Sequence, residues 1–235
     1  MSPAELPPQP SAVGLGEVGV DIMLTQRVKT MLTDHGERIL IRMLTPAELE
    51  DCRKEGRLDL LSVAGRLAAK EAAFKTLAVP GSALPWLGME VRRAAGGRPT
   101  LHLSGAARNL AAQARVSDVR ISISHDGDYA VAVAAAARTP EPTSLTAPSA
   151  RKERQTMDTP LKQLKDWILK RHPERDEIPA DLDLIENRLI DSLSFVEFVF
   201  LLEQVSGRSI DMDTINVDDF RCLGTIEERF LTPIG

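Results

Sequence analysis

Gly65-Arg66-Leu67-Ala68-Ala69-Lys70-Glu71-Ala72-Ala73-Phe74-Lys75 sets the architecture of this chain. It lies within a run over residues 58–77 that carries Leu61, Ala64, Ala68, Ala72 and Leu77 along one broad side. That spacing predicts one long helix, ended by Pro80-Gly81. Glu71 stands mid-helix among alanines, and Lys75 follows four residues later on the same face. Upstream, Val18-Gly19-Val20-Asp21-Ile22 reads as an apolar strand ending in an acid, and residues 26–32 as a short helix. Thr45-Pro46-Ala47-Glu48 has the form of a helix start, with Thr as N-cap, Pro at the first turn and Glu closing a capping box. Downstream, residues 89–93 and 100–103 read as strands around Ala95-Gly96-Gly97-Arg98-Pro99, and residues 104–115 as a helix. Residues 120–124 and 129–134 alternate strictly about Asp126-Gly127-Asp128, which predicts a second hairpin. Antiparallel sheet with helices, an α+β class, follows for residues 17–137.

Composition divides the rest. The chain has 235 residues, ample for two small domains, and 43% of them are apolar. Residues 1–16 hold four prolines and neither a basic start nor a continuous apolar run, so they read as a disordered extension and not a secretory signal. Residues 138–156 crowd Pro, Ser and Thr before Arg151-Lys152-Glu153-Arg154, the composition of a linker. Residues 157–235, opening at Met157, read as all helical. Leu161, Leu164, Trp167 and Ile168 fall in register, then comes a strongly apolar helix from 192 to 205, then Gly207 as its cap, then two short helices. Cys52 and Cys222 form no disulfide or zinc framework, which suits two reduced thiols in a cytoplasmic protein. No apolar run reaches membrane-spanning length. Residues 1–156 hold 20 Lys and Arg against 17 Asp and Glu, whereas residues 157–235 hold 9 against 17. A mildly basic half joined to an acidic half implies mutual attraction or basic partners for the acidic part. It does not imply nucleic acid, since no basic stripe with interleaved aromatics appears.

Asp21 and Glu71 together suit a hard cation, because magnesium takes one or two carboxylates alongside phosphate and water. On spacing alone Glu71 and Lys75 also read as an i,i+4 surface pair, and His125 as a turn residue. Five segments narrow this. Gly19-Val20-Asp21-Ile22, the 42–49 segment Arg-Met-Leu-Thr-Pro-Ala-Glu-Leu, Gly65 through Lys75, Gly97-Arg98-Pro99, and Ser122-Ile123-Ser124-His125-Asp126-Gly127-Asp128-Tyr129-Ala130 occur in this order. Together, from about residue 18 to 133, they resemble the holo-acyl-carrier-protein synthase type of 4′-phosphopantetheinyl transferase. The resemblance implies that Asp21 and Glu71 hold Mg2+ against coenzyme A. It places Lys75 near the reacting phosphate. It also implies a homotrimer in which His125 comes from a neighbouring subunit and helps bind the nucleotide's phosphate, and it implies that Arg66 touches the nucleotide. Leu67 and Arg98 stand where that family commonly has Phe and Lys. Arg27 and Lys29 fit its carrier-docking helix, whose basic charge Asp34 and Glu37 dilute.

Asp191-Ser192-Leu193 alone reads as an N-cap serine opening a helix. Yet Leu182-Asp183-Leu184-Ile185 and residues 189–198 resemble an acyl or peptidyl carrier protein, a four-helix bundle that bears 4′-phosphopantetheine on this serine. The resemblance makes Ser192 an acceptor, and a helix N-terminus suits the arriving phosphodiester. The whole then reads as an enzyme fused to a carrier that it modifies in cis or trans. The other reading is a non-catalytic N-terminal domain whose carrier is loaded by another transferase for fatty-acid, polyketide or peptide assembly.

Overall fold

In the computed structural model the chain runs β1 (Gly14–Leu24), α1 (Thr25–His35), a 3-10 turn (Glu37–Arg42), α2 (Pro46–Asp51), β2 (Arg53–Lys54), β3 (Arg57–Leu58) and α3 (Leu60–Leu77). It continues through β4 (Met89–Arg93), β5 (Pro99–Leu103), α4 (Gly105–Gln113), β6 (Val116–Asp126) and β7 (Tyr129–Arg138). Then come α5 (Pro160–Arg171), α6 (Ser192–Ser206), a 3-10 turn (Val217–Phe220), α7 (Leu223–Ile226) and a π turn (Glu227–Leu231). The structure describes residues 14–79, 81–138, 160–212 and 215–232. The expected extension over 1–16 falls almost wholly outside them, as does the expected linker over 138–156 apart from Arg138.

The larger sheet is antiparallel in the order β1-β7-β6. β1 continues three residues beyond Asp21, which pairs with Ala132 of β7, so the acid sits within the strand and not at its end. Strand alternation sends Asp21 and Met23 to one face and leaves Val18, Val20 and Ile22 on the other. The inner face of β7 is Ala130, Ala132, Ala134 and Ala136, all buried, and α3 lies across it. Small side chains on both surfaces bring helix and sheet close. Of the 18 residues of α3, 14 are buried, so it is a central helix and not a one-sided amphipathic one.

The closest approach is at Gly19, where an added Cβ would lie 1.9 Å from the Ala72 carbonyl oxygen. That oxygen belongs to helical backbone and cannot turn aside. Gly19→Ala is therefore expected to push β1 off α3, at about 3 kcal/mol, the upper end of ordinary overpacking. Urea unfolding would check it.

α2 carries the expected capping box. Thr45 Oγ1 accepts from the Glu48 backbone N–H at 3.2 Å, and Glu48 Oε2 accepts from the Thr45 N–H at 2.8 Å. The same carboxylate accepts from the Val91 N–H at 2.8 Å and from Lys70 Nζ at 2.7 Å. Lys70 uses its other donors on the carbonyl oxygens of Met43 at 2.6 Å and Trp86 at 2.8 Å. One buried, fully satisfied pair thus ties α2, β4 and the loop before β4 to α3.

Apolar residues after 160 form a second cluster, with Leu164 and Ile168 of α5, Ile178, Leu184, Phe198, Val199 and Leu202 of α6, and Phe220, Leu223 and Ile226. Leu193, Val196 and Phe200 of α6 belong instead to the cluster built by α1, α3 and the sheet. α6 is apolar on two sides because it is covered on two sides. Among the described residues no helix is long and apolar enough to cross a membrane.

Candidate active site

Asp21, on the inner face of β1, and Glu71, on α3, meet where Gly19 lets strand and helix approach. Lys75 does not pair with Glu71. It reaches across to β1, where Nζ donates to Asp21 Oδ1 at 2.9 Å and to the Val20 carbonyl at 2.8 Å. The i,i+4 surface reading of Glu71 and Lys75 is thereby replaced. Glu71 is 9% exposed. Burial, then the charges of Asp21 and Asp191, push its carboxyl up to about 7, against the opposing pull of Arg27 and Lys75. Among the described residues no three His, Cys, Asp or Glu side chains gather at a metal site. Two neighbouring carboxylates at mutual electrostatic expense, one of them buried, fit a hard divalent cation that draws its remaining ligands from phosphate and water.

Glu71 binds its proton more tightly folded than unfolded. Its contribution to stability is therefore fully present below its ordinary value of 4.5 and is lost as pH rises through about 7. In chelator-treated protein this one group is expected to remove roughly 3 kcal/mol over that span. Glu71→Gln should lack that slope in chemical denaturation at stepped pH.

Asp191, the residue before Ser192, is near enough for its charge to act on Glu71. Arg27 NH2 of α1 donates to both carboxylate oxygens of Asp191, at 2.5 and 2.7 Å. Burial raises the Asp191 carboxyl, but Arg27 and hydrogen bonds from Ser194 outweigh it and hold the group below the usual aspartate range. The helix cap is Asp191 and not Ser192. Asp191 accepts from the Ser194 N–H at 2.9 Å, Ser194 Oγ accepts from the Asp191 N–H at 2.8 Å, and Ser192 is the half-buried first residue of α6. Its hydroxyl is thus spared from capping.

Two more acids of α6 meet the first unit. Glu197 Oε2 lies 3.2 Å from His35 Nε2 and 2.6 Å from Arg171 NH2, and Glu203 pairs with Arg42. Glu37 pairs with Arg53 at 2.6 Å, which turns its charge away from this face and removes part of the expected dilution. A second contact is the antiparallel bridge between Ser82 and Asn216.

Arg66 and His125 are brought together, but away from Asp21. His125 Nε2 lies 3.2 Å from the Leu61 carbonyl and packs on Gly65, where an added Cβ would meet it at 3.0 Å. Gly65 is six residues, about 9 Å, from Glu71 along α3. His125 is also two strands from β1, roughly 10 Å across the sheet. Here a cavity of about 270 Å³ is lined by Ser62, Gly65, Arg66, Arg92, Arg93, Gly97, Pro99 and His125 among others. Arg66 is 4% exposed and its Nε has no hydrogen-bond partner, although its NH groups reach Ser62 and Asp51. The concentration of guanidinium and imidazole donors suits a phosphate-bearing ligand.

Sequence reasoning missed Arg92 and Arg93 at this cavity, and His35 and Arg42 on the α6 face. Nothing in local spacing marks partners more than 160 residues apart.

A family model described as the 4′-phosphopantetheinyl transferase superfamily matches residues 17–134. The holo-[acyl-carrier-protein] synthase of Desulforudis audaxviator is 40% identical over 119 residues, which cover 51% of this chain and 90% of that protein. The enzyme of the same name from Moorella thermoacetica is 39% identical over 118 residues, 50% of this chain and 91% of its own. A crystal structure of holo-ACP-synthase from Plasmodium yoelii aligns over 54% of this chain and 98% of its own, at 25% identity and a TM-score of 0.48.

Proposed function

The chain belongs to the 4′-phosphopantetheinyl transferase superfamily, and from that premise we propose that it moves 4′-phosphopantetheine from coenzyme A to a carrier-protein serine, with Ser192 of its own C-terminal unit a target, and releases adenosine 3′,5′-bisphosphate. The observation that carries this reading is the grip of Arg27 on Asp191, the residue before Ser192, with the Asp191 charge near enough to raise the Glu71 carboxyl. Residues 157–235 act as the carrier, joined through the 138–156 linker to a transferase over 17–137.

Ser192 Oγ attacks the phosphorus that bears pantetheine, and the bond from that phosphorus to the bisphosphate leaving group breaks. Glu71 takes the serine proton, directly or through a water it holds. Asp21 and Glu71 would hold Mg2+, which when bound neutralises pyrophosphate charge. Lys75, already drawn to Asp21, offers its ammonium to the reacting phosphate. Arg66 and His125 bind the nucleotide phosphate in the cavity beside Gly65.

The separation of that cavity from Asp21 supports completion of each site by a neighbouring chain. The outer sheet face supports self-association as well. Val18, Val20, Ile22, Tyr129 and Val133 lie on it with 40 to 65% exposure, an uncovered apolar surface. A homotrimer packed through β1 and β7 would bring one chain's His125 to another's Glu71. Sedimentation is expected to read three chains, and Val20→Lys to yield single chains with impaired transfer. Two unpaired thiols, Cys52 and Cys222, suit a cytoplasmic setting.

The test is release of adenosine 3′,5′-bisphosphate from coenzyme A and magnesium by the purified chain. One equivalent per chain is expected, and none from Ser192→Ala unless an apo acyl carrier protein is added. Full release by Ser192→Ala alone would refute Ser192 as the acceptor.

A further inference from the structure

Phe200 is the centre of the face that α6 turns to the first unit. Its ring meets His35 edge-on, with centroids 5.3 Å apart and planes at 75°. The guanidinium carbons of Arg38 and Arg42 lie 5.2 and 5.5 Å from its centroid. Phe200 is 9% exposed and clusters with the first unit's core, not with the core of residues 160–231. Its burial therefore depends on docking and not on the folding of its own unit. The ion pairs of Glu197 with His35 and Glu203 with Arg42 stand one residue-turn to either side. This is the arrangement of an interface anchor: an aromatic at the centre and charged pairs around it.

The charged pairs alone do not single out one carrier. Arg27 and Asp191 are 38 and 53% exposed, and a surface pair of that kind contributes little. The Glu197–His35 and Glu203–Arg42 pairs are more buried, but any helix with acids at that spacing would satisfy them. An aromatic ring over two guanidinium groups is a narrower demand, because an aliphatic side chain keeps the apolar contact but has no π face to offer the cations.

We infer that Phe200, seated against His35, Arg38 and Arg42, is the specificity-determining residue by which the transferase selects its own carrier over free carriers. The inference rests on the proposed role of Ser192. It adds that the docked carrier occupies the face of α1 and the 3-10 turn after it, and so competes with any other carrier for the same Glu71.

The experiment uses the full apo chain with coenzyme A, magnesium and an equimolar apo acyl carrier protein that has an aliphatic residue at the position matching Phe200. Intact-mass spectrometry follows both acceptors. The wild-type chain is expected to load Ser192 ahead of the added carrier. Phe200→Leu keeps an apolar side chain and is expected to shift the ratio of own to added loading about 10-fold toward the added carrier, the effect of losing two cation–π contacts. Arg38→Gln, at an exposed position, is expected to shift it ~3-fold, and to shift it less in the Phe200→Leu background, since the two act through one contact. A ratio unchanged by Phe200→Leu, or equal loss of both loadings, overturns the anchor while leaving the transferase reading intact. A wild-type chain that loads only the added carrier overturns Ser192 as acceptor, and one that loads neither overturns the transferase reading itself.

Discussion

Glu71→Gln is expected to lower phosphopantetheine transfer about 10³-fold while the chain stays folded. The amide keeps the shape of the side chain but neither takes a proton from serine nor carries the charge that a cation needs. General-base loss alone is worth 10² to 10⁴ in rate. Stability should hold, because the ionised carboxylate is the form that this buried site disfavours. Stopped-time mass spectrometry measures the transfer, and thermal unfolding in parallel measures the fold. Activity within a few-fold of the unaltered chain would remove Glu71 from the chemistry.

Lys70→Met is expected to cost 3–5 kcal/mol, about the range for breaking one side of a buried pair. Lys70 and Glu48 are both fully buried, and Glu48 also anchors the N–H groups of Thr45 and Val91. Without the ammonium its carboxylate is left charged and without a counter-ion. Burial lowers the Lys70 ammonium from its ordinary value, and Glu48 opposes that. The pair should therefore fail together: Glu48→Gln with Lys70→Met is expected to recover part of the loss. Urea unfolding of the single and double variants decides this, and a Lys70→Met chain as stable as the parent would contradict it.

Local pattern made much of the fold legible. Strict alternation located β6 and β7, and the capping box at Thr45 located α2, because each signal is contained within a few residues. What stayed hidden depends on distant partners. Glu48 was read as half of a cap, though its larger role is to balance Lys70 across 22 residues. Lys75 looked committed to its own helix, yet its long side chain finds β1, which no helical spacing encodes. The bare tripeptide reads as capped by Ser192, but Asp191 beside it takes that place, since either residue type caps well. α6 held a readable clue: its apolar residues outnumber what one face needs, which required a second covering surface. That the surface is α1 with the 3-10 turn after it follows from Arg27, His35 and Arg42, whose partners in the chain lie more than 160 residues on.

The proposal makes residues 157–235 the carrier for the transferase unit that the family model matches over residues 17–134. The most direct measurement is the mass of the purified apo chain after addition of coenzyme A and magnesium alone, repeated across a wide range of dilutions. The expected result is a gain of one phosphopantetheine, mapped to Ser192, absent in Ser192→Ala and Glu71→Gln. Its rate should not change with dilution while the assembly persists. No gain until a separate transferase is added would contradict the account.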